Sequence, residues 1–134
     1  MLCMIDDNMS VVNHSGVVSE NRPPTLEEKQ LLIWLISNGK PEARDYMPQV
    51  EELRVISRCS CGCPTVDFTP PKGPSDLLAD LYGITSENVE VGVILHARDG
   101  RLSEMEIYSV YQQEEPFGLP RIDTLKDYWV PAKR

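Results

Sequence analysis

The chain has 134 residues, of which 41% are hydrophobic, and a formal net charge of −8 at pH 7. This length suits a single domain with one core. The acidic balance argues against nucleic-acid binding, which needs clustered Lys and Arg, and against docking on an anionic membrane. It instead favours a protein partner of basic character.

Residues 1–24 are poor in long apolar runs and end at Pro23-Pro24. They are predicted to form an extended or weakly ordered tail, in which Val17-Val18 is compatible with an edge strand. Residues 25–134 are predicted to form one α+β domain. Asp6 and Asp7 interrupt the apolar stretch that a secretory signal needs, so a cytoplasmic setting is expected.

A helix is predicted to begin at Thr25. Thr25 and Glu28 have the spacing of a capping box, and Gly39 is placed to end the helix. The run Leu31–Ile36 is apolar almost all round, which is typical of a helix buried on most sides. Trp34 is expected at the core margin, and the residues expected to supply the core are Leu32, Ile33, Leu35 and Ile36.

Alternating apolar residues predict a strand over 53–60 and another over 65–69, with a turn at about Cys61–Pro64. A weaker helical pattern lies at Pro48–Leu53. Residues 76–85 are compatible with a helix or a strand, and a strand is favoured because two hairpins flank them.

The clearest structural signal is a β-hairpin over Val89–Tyr111, with Asp99-Gly100 at its turn. A two-residue loop would place Val93 opposite Glu106. A three-residue loop separates apolar from charged residues better, and it needs Gly100 in the left-handed region. This register places one set of residues in the core, namely Val91, Val93, Leu95, Ala97, Met105 and Ile107. The outward set is Glu90, Gly92, Ile94, His96, Leu102, Glu104, Glu106 and Tyr108. The predicted fold is therefore an N-terminal helix packed on a mostly antiparallel sheet built from two hairpins.

Three of the four cysteines lie in one turn, Cys59, Cys61 and Cys63. Thiolates bind soft metals such as Zn²⁺ and Cu(I), but a structural zinc site needs four ligands. The fourth would have to come from Cys3, His14 or His96. The favoured interpretation is that the three cysteines are reduced, bind no cofactor and shape the turn; a zinc or copper site is the alternative. Thiol redox chemistry is disfavoured, because it typically uses Cys-x-x-Cys at a helix N-terminus.

His96 shares the outward face with Glu104, a pairing that could support acid–base chemistry or metal binding. A solvated strand face is the favoured interpretation. Sequence motifs for a nucleophile elbow, a P-loop or a dinucleotide site are absent. No catalytic residue is therefore predicted.

Three stretches resemble a family of small bacterial proteins without an established activity. They are CSCGCPTVDF, VILHARDGRLSEMEIYS and PFGLPRIDTL. The resemblance covers roughly Leu26 to Leu125. It implies an α+β fold and a bacterial cytosolic setting, and it assigns no catalytic residue.

The leading functional hypothesis is a non-enzymatic acidic module that acts through protein contacts, in an accessory or immunity-like role. The alternative is a thiolate metal-binding protein that uses Cys59, Cys61 and Cys63. An enzyme that uses His96 and Glu104 is the third hypothesis.

Overall fold

A computed structural model describes residues 17–112 and 115–127. These residues contain one α-helix, α1 (Leu26–Asn38), two 3-10 helices (Pro41–Glu52 and Ile122–Thr124) and one seven-stranded sheet. The strands are β1 (Val17–Arg22), β2 (Val55–Cys59), β3 (Val66–Asp67), β4 (Asp76–Ile84), β5 (Glu90–Arg98), β6 (Arg101–Ser109) and β7 (Lys126–Asp127). Every pairing is antiparallel, in the order β1-β2-β3-β6-β5-β4-β7. The predicted α+β fold is confirmed.

The predicted beginning of α1 is confirmed in detail. The Thr25 hydroxyl accepts a hydrogen bond from the Glu28 N–H at 3.0 Å, and the Glu28 carboxylate accepts one from the Thr25 N–H at 2.9 Å. Gly39 caps the C-terminal end. Both ends of the helix are thus defined by local sequence.

The buried face of α1 differs from the prediction at one residue. The face packed against the sheet consists of Leu31, Leu32, Leu35 and Ile36, whereas Ile33 is 37% exposed. Ile33 lies off the buried stripe because successive helical residues are rotated by about 100°. Trp34 is partly buried at the core margin, as predicted.

Residues Asp76–Ile84 form strand β4, which pairs with β5 along its length. The preference for a strand over a helix is therefore confirmed. The weak helical signal at Pro48–Leu53 corresponds to a longer 3-10 helix, Pro41–Glu52. The last residues of the predicted tail, Val17–Arg22, form the edge strand β1 beside β2.

The central hairpin has the predicted faces but a different turn. Arg98 pairs with Arg101, so the loop is the two-residue Asp99-Gly100 with φ angles of 54° and 76°. Both angles are positive, as a type I′ turn requires. The three-residue loop is therefore wrong, although the positive φ of Gly100 is confirmed.

A bulge in β6 reconciles this tight turn with the predicted faces. The register shifts between His96, which pairs with Glu104, and Ala97, which pairs with Leu102. Ser103 is the extra residue. The shift brings Met105 and Ile107 onto the core face and buries Leu102 in the core, although an outward position was predicted for Leu102.

Replacing Gly100 by Ala is expected to lower the free energy of unfolding by about 1 kcal/mol. A Cβ at Gly100 would meet no atom within 4 Å, so the cost comes from the backbone conformation and not from a clash. Urea unfolding measures the difference. The exposed neighbour Arg101, replaced by Ala, should change stability by no more than about 0.5 kcal/mol; equal effects would contradict the assignment.

Candidate functional site

The cysteine turn begins at the last residue of β2. Cys59 and Cys63 are each 8% exposed, whereas Cys61 between them is exposed. Gly62 has a φ of 97°, which lets the chain reverse direction after Cys61. Alternate residues of a flat strand lie about 6–7 Å apart. The turn instead brings the three Sγ atoms within 4.8 Å of one another.

The three sulfurs are not equivalent. Cys61 and Cys63 are each disulfide-bonded, whereas Cys59 is a free thiol. The Sγ atoms of Cys59 and Cys61 are 2.9 Å apart. The prediction of three reduced cysteines is therefore wrong for Cys61 and Cys63 in this state of the protein.

Backbone amides surround the sulfurs. The Cys61 N–H donates to Cys59 Sγ at 3.4 Å, and the Cys63 N–H donates to Cys61 Sγ at 3.3 Å. The donor to Cys59, the free thiol, favours its negatively charged thiolate form. Cys63 Sγ lies 3.4 Å from Thr65 Oγ1, which accepts from the Ile107 N–H and donates to the Ile107 carbonyl. These contacts anchor the turn to β6.

The protonation of Cys59 is set by opposing effects. Burial raises the pKa of the Cys59 thiol above its ordinary value, and the Cys61 N–H opposes that rise. The carboxyl of Asp67 raises the pKa further, whereas Arg58 lowers it. The net result is a raised pKa, so the thiol form of Cys59 is favoured at neutral pH.

Of the predicted fourth ligands, His96 is the one among the described residues, and it is not brought to the sulfurs. Cys3 and His14 lie outside the described residues. Within 17–112 and 115–127, no other Cys, His, Asp or Glu atom lies within 4.8 Å of all three sulfurs. His96 belongs to a separate cluster with Glu104 and Glu106.

This second cluster lies on strands β5 and β6. His96 Nε2 is 2.9 Å from Glu106 Oε1 and 4.0 Å from Glu104 Oε1, and His96 Nδ1 is 2.9 Å from Ser75 Oγ. Arg98 Nη1 is 3.4 Å from Glu104. The side chains of His96, Glu104 and Glu106 are only 13–15% exposed, so the predicted solvated face is wrong. Long neighbouring side chains shield one another and form a network of polar contacts.

Asp67 extends this cluster onto β3. Asp67 is buried, lies directly opposite Glu104 and accepts a hydrogen bond from Ser57 Oγ at 2.7 Å. Burial raises the pKa of Asp67, and the hydrogen bond from Ser57 only partly offsets this. Burial also raises the pKa of Glu104, although His96 acts to lower it. The alternation Val66-Asp67-Phe68 indicates a strand but does not single out Asp67 or Thr65 as buried partners.

Replacing Asp67 by Asn is expected to raise the free energy of unfolding at neutral pH. The native pKa of Asp67 lies above that of the unfolded chain, so its contribution to stability falls as the pH rises between the two values. Asn keeps an acceptor for Ser57 and removes a like charge opposite Glu104. Below the ordinary Asp pKa of about 3.9 the gain should disappear.

Urea unfolding at neutral and acidic pH measures this pH dependence. Asp123 is exposed and serves as the matched control, because Asp123→Asn makes the same chemical change without burial. A less stable Asp67→Asn protein at neutral pH would show that the carboxylate stabilises the fold.

Another concave region is separate from both clusters. A cleft of about 640 Å³ lies between the 3-10 helix Pro41–Glu52 and β4, and residues such as Lys40, Tyr46 and Asp76 line it. None of its lining residues is a predicted site residue. Among the described helices, none is long and apolar enough to cross a membrane.

No family model, curated protein or solved structure matches this chain. The resemblance to small bacterial proteins therefore stays a prediction. The same holds for the role as an acidic module that acts through protein contacts.

Proposed function

We propose that the reduced protein binds one thiophilic metal ion through Cys59, Cys61 and Cys63, with Cu(I) preferred over zinc. The observation that carries this proposal is the approach of all three Sγ atoms to within 4.8 Å of one another. Metal–thiolate bonds of about 2.3 Å, arranged in a plane around one ion, separate the sulfurs by roughly 4 Å. To hold an ion, the reduced turn must open, because the Sγ atoms of Cys59 and Cys61 are 2.9 Å apart.

The preference for Cu(I) follows from the number of ligands. Soft thiolates select Cu(I) and zinc among the common ions. Three thiolates complete a trigonal Cu(I) site, whereas a closed zinc site takes four ligands. Among the described residues, no fourth Cys, His, Asp or Glu joins the sulfurs within 4.8 Å.

The surroundings act on the charge of such a site in both directions, because burial and Asp67 oppose thiolate formation at Cys59 whereas nearby donors favour it. Three thiolates and one Cu(I) carry two net negative charges. The amides of Cys61 and Cys63 already point at sulfur, and the positive charge of Arg58 lowers the pKa of Cys59. Cys61 and Cys63 must be reduced first, which fits the cytosolic setting predicted from the sequence.

Titration of the reduced protein with Cu(I), under an oxygen-free atmosphere and against a chromophoric chelator, tests the proposal. We expect one Cu(I) per chain, and loss of that binding in Cys61→Ser. Binding should strengthen as pH rises, because the ligands must be deprotonated and the pKa of Cys59 is raised.

The fourth cysteine offers a matched control. Cys3→Ser makes the same chemical change outside the turn and should leave one Cu(I) bound. A parallel titration with zinc should show weaker binding than Cu(I). Unchanged Cu(I) stoichiometry in Cys61→Ser would overturn the proposal, and loss of binding in Cys3→Ser would show that the ligand set is different.

A further inference from the structure

We propose that Ser75, His96 and Glu106 form a nucleophile–base–carboxylate triad that hydrolyses small uncharged carboxylic esters. Ser75 is the nucleophile and His96 is the general base. Glu106 is a positioning residue that acts through His96. This activity uses no metal ion and no cysteine, so it goes beyond the proposed function and does not rest on it.

Two hydrogen bonds join the three side chains. His96 Nδ1 lies 2.9 Å from Ser75 Oγ, and His96 Nε2 lies 2.9 Å from Glu106 Oε1. Both distances lie in the range of about 2.6–3.2 Å that joins a nucleophile to its base and a base to its orienting group. In serine proteases the nucleophile contacts the other ring nitrogen, but either nitrogen of a neutral imidazole can serve as the acceptor.

Neighbouring strands hold these groups in place. Ser75 immediately precedes β4, His96 lies on β5 and Glu106 lies on β6, and β5 pairs with both other strands. The side chains of His96 and Glu106 are each only 13% exposed. Groups carried by paired strands keep their separation, so the base and its orienting carboxylate are preorganised.

The hydrogen bonds also determine which ring nitrogen acts as the base. An ionised carboxylate can only accept a hydrogen bond, so Glu106 places the proton of a neutral His96 on Nε2. Nδ1 then accepts from the Ser75 hydroxyl. Glu104, expected from the sequence to act with His96, lies 4.0 Å from Nε2 and has Arg98 as a partner at 3.4 Å. Glu106 is therefore the carboxylate that orients His96.

The substrate site is the cleft beside β4. Ser75 lines this cleft of about 640 Å³ and connects it to the shielded imidazole of His96. Small-molecule sites usually enclose roughly 300–1,000 Å³. Acidic residues, Glu42 and Asp76 among them, line the cleft together with Lys40. The acidic lining disfavours anionic substrates, so an uncharged ester is the class that fits.

The reaction has two balanced steps. Ser75 Oγ bonds to the ester carbonyl carbon while its proton passes to His96 Nδ1; the bond to the alkoxy oxygen then breaks, and the alcohol leaves with that proton. Water attacks the acyl group and gives a proton to Nδ1. The bond to Ser75 breaks, Oγ takes up the proton, and a carboxylic acid is released. The net change converts ester and water into acid and alcohol.

Hydrolysis of p-nitrophenyl acetate by the full chain, with a chelator present, measures this activity. We expect Ser75→Ala and His96→Gln each to lower kcat/KM by about a hundredfold. Ser86 is an exposed serine, so Ser86→Ala makes the same chemical change outside the triad and should leave the rate unchanged. Circular dichroism checks that each variant is folded.

The Glu106→Gln variant tests the positioning role. The amide can donate to Nε2 and so leave the imidazole proton on Nδ1, where it blocks the base. We expect kcat to fall by at least about tenfold with little change in KM. Glu104→Gln is the matched control and should change kcat far less; equal effects of the two variants would contradict the role of Glu106.

A second measurement does not depend on turnover. Diisopropyl fluorophosphate reacts with an activated serine, because an Oγ–P bond forms while the P–F bond breaks and fluoride leaves with the serine proton. Mass spectrometry should place the adduct on Ser75, and His96→Gln should abolish it. Absence of an adduct on Ser75, or equal ester hydrolysis by Ser75→Ala and wild type, would overturn the proposal. Neither result bears on the Cu(I) titration, because the triad contains no cysteine.

Discussion

Replacing Leu35 by Ala is expected to lower the free energy of unfolding by about 2–5 kcal/mol. Leu35 is fully buried in the helix face that packs on the sheet. Its truncation removes apolar contacts and leaves a cavity that the surrounding β-sheet can only partly close. Urea unfolding monitored by circular dichroism measures the loss.

The same helix supplies the control for this experiment. Ile33 is 37% exposed, so Ile33→Ala removes as many side-chain carbons with little loss of packing. We expect a change of about 1 kcal/mol or less. If the two variants lose similar stability, α1 does not pack on the sheet through the face that contains Leu35.

Replacing Gly39 by Ala is expected to cost about 1–3 kcal/mol, through a steric clash. A Cβ at this position would lie 2.4 Å from the Leu78 carbonyl oxygen and 2.8 Å from that of Leu35. Both atoms belong to the backbone, so the end of α1 and strand β4 would have to separate. This movement would also strain the hydrogen bond from the Lys40 N–H to the Leu78 carbonyl, at 2.8 Å.

The Gly73→Ala variant is the control that separates this clash from the general cost of replacing a glycine. A Cβ at Gly73 would meet no atom within 4 Å, and the φ of 86° alone makes Ala unfavourable there. Gly73→Ala should therefore cost only about 1 kcal/mol. A Gly39→Ala protein as stable as the wild type would show that α1 and β4 are not in close contact.

Local sequence predicts the parts of the fold that depend on near neighbours. The capping box of Thr25 and Glu28 acts within one turn of helix, and it marks the beginning of α1 correctly. The alternation along β5 and β6 predicts which residues face the core, because side chains of a strand alternate between faces. The error at Ile33 arose because an apolar run by itself does not reveal which side of a helix meets the sheet.

The hairpin turn depends on contacts that are distant in sequence. Gln49 accepts a hydrogen bond from the Leu102 N–H at 2.8 Å and donates one to the Gly100 carbonyl at 3.0 Å. The Ser103 carbonyl accepts from the amides of Phe68 and Thr69. These partners satisfy the backbone groups that a bulge leaves unpaired. The bulge at Ser103 is therefore stabilised by groups 34 or more residues away along the chain.

The cysteine turn likewise combines features that the local sequence determines with features that depend on the tertiary structure. The sequence alone determined that three thiols lie within five residues, and that a reversal at Gly62 could gather them. Only the tertiary structure decided that Cys61 and Cys63 are disulfide-bonded and that Cys59 stays a free thiol beside them. It also decided that His96 lies in a separate cluster and that Asp67 is buried near Cys59. The physical reason is that burial and pairing depend on the strands brought alongside the turn, and those strands come from distant parts of the chain.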